Sequence, residues 1–172
     1  MAFNLGDIEH AAQRLLLGTR CFSVAGAATG TTPAKCKTVN AVQFSVDGKA
    51  ATKAGTDDLW TLSGVTIPAS STGYFLLCLN AAGTASVIQG AILTTATGAY
   101  AASSPVKGGE GYHGTITNTN GVATVCPIAE LKVVTNATGT FVPGTTSLAV
   151  ANTVDSATYT DLSCLPTSGK GA

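Results

Sequence analysis

Charge is what this chain has least of. Only 10% of its 172 residues are Asp, Glu, Lys or Arg, and nine basic residues balance nine acidic ones, against an average near a quarter. Binding to nucleic acid or to an anionic membrane surface needs a concentrated basic face. Here the lysines and arginines are spread thinly, so neither partner is expected. Long apolar runs are missing too, and none approaches the ~20 residues that a membrane-spanning helix requires. The first twenty residues, MAFNLGDIEHAAQRLLLGTR, place Asp7, Glu9 and His10 where a secretory leader would be apolar. Synthesis in the cytoplasm is the expectation.

The chemistry-bearing residues are equally sparse. There are two histidines, His10 and His113. His10 falls on the polar side of an amphipathic stretch, and His113 stands among glycines, the setting of an exposed loop residue. Ser104 and Lys107 match an S-x-x-K spacing, but Pro105 and the glycines after Lys107 work against the helix that such a nucleophile needs. The glycine cluster at 108–114 has no Lys-Ser/Thr ending and no strand-turn-helix context, so it is no phosphate loop. Asp57 and Asp58 are adjacent, and neighbours on a strand point to opposite faces, a poor placement for joint acid/base work. No catalytic residue is assigned, and a non-enzymatic protein is expected.

Five cysteines, Cys21, Cys36, Cys78, Cys126 and Cys164, occur at long spacings without a C-x-x-C pair. Zinc sites usually show close pairs, so neither a metal nor any other cofactor is expected. Cys78 in FLLCL and Cys126 in ATVCPI sit in apolar surroundings and read as buried thiols. Cys21 and Cys36 are the pair whose Gly- and Thr-rich surroundings would let them meet.

What is present is β-strand grammar. Val42, Phe44 and Val46 alternate with polar residues, and Asp47-Gly48 is a strong hairpin turn signal leading to Lys49–Lys53. Leu59–Leu62 and Val65–Ile67 read as short strands. Tyr74–Leu79 is apolar on both faces, as a central strand should be. The turn Asn80-Ala81-Ala82-Gly83 returns it to Thr84–Gln89, with Ala91–Thr95 continuing the sheet. Thr115–Thr117, Val122–Cys126, Ile128–Thr135, Phe141–Val142, Ser147–Val150 and Ala157–Leu162 complete the strand-like stretches.

Two segments stand apart. Between Asn4 and Leu17 the spacing of Leu5, Ile8, Ala12, Leu15 and Leu16 predicts an amphipathic helix, capped by Asn4 and stopped by Gly18. Its apolar stripe suits either packing onto the domain core or docking on a partner, with Leu5, Ile8, Leu15 and Leu16 as the contacts. Thr97–Gly114 reads as a long loop, and its exposed candidates for contact are Tyr100, Lys107, Glu110, Tyr112 and His113. The expected architecture is mainly β: an antiparallel β-sandwich or barrel-like domain at 38–166. A helix and irregular linker at 1–37 precede it, and a disordered tail at 167–172 follows. Near-zero net charge on a surface of Thr, Ala, Ser and Gly favours self-association, and so a homo-oligomer.

The stretch from Lys49 to Gly90 adds a resemblance. Its KAATKA segment, then TDDLWTL, a Gly/Pro loop and YFLLCLNAAGT resemble structural proteins of tailed bacteriophages. These are head decoration (cement) and head-fibre proteins. The resemblance implies a β-rich virion protein, often a trimer, on the capsid surface. It would bind the major capsid protein and clamp neighbouring capsomers, with no catalytic residues, and Leu5, Ile8, Leu15 and Leu16 would be its capsid- or subunit-contacting residues. The alternative it leaves open is a tail-fibre or head-fibre adhesin module that binds a host receptor.

Overall fold

The computed structural model describes residues 18–105, 122–150 and 153–163, with the backbone of 112–113. Among the described residues, eleven strands run in chain order: β1 (Arg20–Cys21), β2 (Ala27–Thr29), β3 (Lys35–Thr38), β4 (Val42–Val46), β5 (Lys49–Lys53), β6 (Thr56–Thr61), β7 (Ser71–Asn80), β8 (Ala85–Thr94), β9 (Tyr112–His113), β10 (Val125–Thr135) and β11 (Val154–Asp161). They form three antiparallel sheets, ordered β1-β4-β5, β2-β3-β6 and β11-β10-β7-β8-β9. The chain is thus mainly β, as its alternation implies. The sheets do not close on one another, so the barrel-like form is corrected. Each small sheet ends in strands of two to six residues, too short to continue the hydrogen-bond ladder around a closed wall.

The hairpins form where turn chemistry demands them. Asp47 and Gly48 both have positive φ, 51° and 79°, the mirror-image turn that matches the twist of two paired strands. At the end of β7, the Asn80 side chain accepts hydrogen bonds from the backbone of Ala82 (3.0 Å) and Thr84 (2.9 Å). That local capture folds the chain back and sets the β7–β8 register from Leu79↔Ala85 onward. Ala91–Thr95 extends β8 itself. The stretches Val122–Cys126 and Ile128–Thr135, separate in the sequence reading, merge into one strand, β10, which starts at Val125 and has a register shift between Pro127 and Ala129. Pro127 offers no N–H to a ladder, and a bulge is where a central strand tolerates that.

The reading of Cys21–Lys37 as an irregular linker is corrected. The end of β1, all of β2 and most of β3 lie there, and Cys21, Ala25 and Cys36 are buried in the main core. Small residues let these short strands approach the sheets closely. The alternation of buried and half-buried residues in Lys35-Cys36-Lys37-Thr38 is that of a half-buried strand. The predicted helix at 4–17 and the tail at 167–172 lie outside the described residues.

All three sheets contribute to one core. Val42, Phe44 and Val46 come from β4, Cys36 from β3, and Trp60 from β6. They meet Phe75, Leu77, Leu79, Leu131 and Val133 of the five-stranded sheet. Trp60 is fully buried, and its indole N–H donates to the Cys78 carbonyl at 2.9 Å, so its one polar group is satisfied. Phe75 and Phe141 pack with tilted rings 6.3 Å apart. On the opposite face of the same sheet lies a second, smaller cluster of Leu76, Cys78 and Ile88.

Candidate functional site

The long loop after β8 is anchored at both ends to one strand edge. Thr94 accepts from Gly98 N and donates its own N–H to Ala99 O, each at 2.8 Å. Tyr100 then bridges Leu93, and Ala101 N donates to Ile92 O at 2.8 Å. The Ser104 hydroxyl accepts from Ile92 N at 3.0 Å. This buried role occupies the hydroxyl that the S-x-x-K spacing had singled out. Further on, Tyr112 and His113 pair with Gly90 and Gln89.

The outer edge of β8 therefore holds both Tyr100 and the 112–113 pair. Their partners, Leu93 and Gly90, are three residues apart, roughly 10 Å along a strand. Tyr100 is partly exposed (38%). Lys107 and Glu110 lie outside the described residues, as do Leu5, Ile8, Leu15 and Leu16 of the predicted helix. Tyr100, Tyr112 and His113 are thus gathered at one edge in backbone terms.

Beside this edge the side chain of Gln89, buried in β8, grips the loop after β6. Val65 N donates to its Oε1 at 2.7 Å, and its Nε2 donates to Val65 O at 2.8 Å. One amide thus stands in for a neighbouring strand. Gly64, with φ 136°, makes room for it, since a Cβ there would collide with Gln89 Oε1. A cavity of about 310 Å³ opens between Ser63–Val65, Val87, Gln89 and Pro105.

The adjacent carboxylates behave differently from the strand alternation expected of them. Asp58 has φ 51°, and the β3–β6 register shifts between Cys36 and Thr38. With that kink both side chains reach the same turn. Thr31 N donates to Asp57 and Thr32 N to Asp58, each at 3.0 Å, and both threonine hydroxyls donate as well. The Thr31 hydroxyl and then its N–H hold the Asp57 carboxyl below its ordinary range, with a smaller contribution from the Lys37 charge. A carboxylate so supplied with donors is a poor proton acceptor. Asp161 is engaged in the same way, accepting from Gly26 N (3.0 Å) and Ala27 N (3.2 Å).

The thiols are buried, as expected of Cys78 and Cys126, and Cys21 and Cys36 are thiols as well. Burial pushes Cys36 up to about 11 and Cys78 up to about 12, so neither is a thiolate at neutral pH. Cys36 also accepts from the Tyr159 hydroxyl at 3.6 Å, and that hydroxyl lies 3.0 Å from Thr29 Oγ1. Among the described residues no three His, Cys, Asp or Glu side chains are grouped to hold a metal ion, and no helix is long and apolar enough to cross a membrane.

What these residues do is fasten one segment to another. The surface they leave is uncharged in the net and carries exposed valines, with Val24 (47%) and Val39 (62%) the foremost near one another. Asn40 Nδ2 donates to Val24 O at 3.2 Å, and Val39 N donates to Gly26 O at 3.3 Å, which brings the two valines to neighbouring positions. Sequence reasoning missed this pair because Val24 fell in the supposed linker. No protein-family model matches the chain, and no curated protein or solved structure matches it significantly.

Proposed function

We propose that this protein is a non-enzymatic virion component that binds the outside of a phage capsid and stabilises contacts between capsomers. One observation carries the reading. The carboxylates of Asp57, Asp58 and Asp161, the buried Gln89 amide and the buried thiols are engaged in internal contacts, and what faces solvent is a low-charge surface with exposed valines. Such a surface acts by burying area against a partner rather than by transforming a substrate. The resemblance of Lys49–Gly90 to decoration proteins supplies the partner, the major capsid protein. Repetition over a symmetric shell turns modest affinity per copy into firm attachment. In this reading the sheets stack as a sandwich, and the protein is a homotrimer located on the virion surface.

A second reading, the fibre adhesin, is favoured by the loop tied at both ends to β8. It would present Tyr100 and residues 105–113 to a host receptor. The test is co-sedimentation of the purified protein with undecorated phage heads and, separately, with host cells. The capsid reading expects binding to heads. It also expects the double variant Val24→Asp/Val39→Asp to bind about tenfold more weakly, a loss of ~1.4 kcal/mol. Binding to cells alone would replace it with the adhesin reading.

A further inference from the structure

The outer face of the five-stranded sheet is more deeply buried than its described neighbours explain. Leu76 and Ile88 are paired across β7 and β8 and are 7% and 8% exposed, and Cys78 is completely buried. The described hydrophobic residues packed against them are only Val125 and Leu162, both themselves partly buried. Two such residues do not make a layer over a sheet face, and an apolar sheet face must be covered by another element. We propose that residues 4–17 of the same chain cover it, their Leu5/Ile8/Leu15/Leu16 stripe lying on Leu76, Cys78 and Ile88.

Three observations converge on that occupant. The first is where the segment ends. Gly18 O accepts from Gly48 N (2.8 Å) and Ser45 Oγ (3.0 Å), which pins it at the β4–β5 turn. A cavity of about 380 Å³ is bounded jointly by Asp47 of that turn, by Asn80 and by Thr124. Cys78 lies two residues before Asn80, and Val125 follows Thr124. Three residues after Gly18, Cys21 bridges Ser163, next to Leu162. The segment therefore joins the body beside both residues that rim the cluster.

The second observation is size. The cluster spans the β7–β8 pair and the adjoining end of β10, about 10 Å across at 4.7–4.9 Å per strand. One helix is 10–12 Å wide, and fourteen residues of it are ~21 Å long. The third is composition. The other undescribed stretches, 106–111, 114–121, 151–152 and 164–172, carry at most one Val, Leu or Ile each, whereas residues 1–17 carry Leu5, Ile8, Leu15, Leu16 and Leu17 on a helical spacing.

The inference concerns the free protein and stands whether or not the capsid reading does. It assigns the stripe to the chain's own sheet, which leaves capsid contact to the exposed valines. Cys78 reports on it directly. The full chain and its variant Ile8→Asp/Leu15→Asp are treated with an alkylating reagent, and each cysteine is followed by peptide mass spectrometry. Modification of Cys78 should rise about tenfold or more in the variant while Cys36, in the main core, keeps its protection, as local opening requires. Unchanged protection of Cys78 overturns the proposal. Should Cys36 open as well, the variant has unfolded, and a second measurement decides. In otherwise native chains, Leu5→Cys, Ile8→Cys and Leu15→Cys are each treated with a short bis-maleimide. A crosslink to Cys78 within one chain from any of the three supports the assignment. Crosslinks between chains only, or none, overturn it.

Discussion

The two faces of β7 differ more than its sequence suggests. In Tyr74–Leu79, every residue but Tyr74 is buried. Phe75, Leu77 and Leu79 enter a core to which all three sheets contribute, whereas Leu76 and Cys78 join a cluster of three. A strand apolar on both faces signals burial on both, yet it does not say that one side is a jigsaw and the other a thin seam. The difference follows from topology. The inner face receives β3, β4 and β6, whereas on the outer face only Val125 and Leu162, among the described hydrophobic residues, pack against that cluster.

The contrast is broken or sharpened first by paired truncations. Leu77→Ala on the inner face should destabilise the protein by ~3–4 kcal/mol, and Leu76→Ala on the outer face by ~2 kcal/mol, because a thinly packed site relaxes further around a lost side chain. Urea midpoints at constant slope measure both. Equal losses would mean that the outer face is packed as tightly as the core. A smaller effect is expected at the seam between strand edge and loop. Gln89→Met removes the amide that serves Val65 N–H and C=O and should lower stability by about 1–3 kcal/mol, with faster amide exchange at Val65 than at core residues.

The smallest effect lies at the exposed clamp of Asp57. Its folded-state carboxyl is held below the ordinary value of 3.8. Its contribution is therefore fully present above pH 3.8 and lost as pH falls through the folded value. Asp57→Asn should lower the midpoint at neutral pH, and the gap from the native protein should close below pH 3.8. A gap that persists in acid would show that the loop–strand clamp rests on geometry other than the carboxylate charge.

How far the sequence alone reached can be judged at particular residues. Asp47-Gly48, the Asn80 turn and the apolar run of β7 were legible because turn chemistry and period-two burial are local properties. Cys21–Lys37 was not legible as strand. Its two- to four-residue strands are held by partners far along the chain, Arg20 opposite Ser45 and Lys35 opposite Thr61, and so carry little local signal. The convergence of Asp57 and Asp58 was hidden because a single positive φ at Asp58 breaks the alternation on which face assignment depends. The loop was recognised as a loop, but its return to the β8 edge depends on Gln89 and Gly90, which nothing inside the loop announces. The Val24–Val39 pair was invisible for the same reason, since adjacency arises from the fold.

The proposed role of the protein is to cover a particle surface. It is tested most directly by titrating the full chain onto undecorated phage heads and counting bound copies per particle by quantitative mass spectrometry. Saturable binding at a copy number set by icosahedral symmetry is the expected result. No binding, or only the few copies of a single vertex, would contradict it.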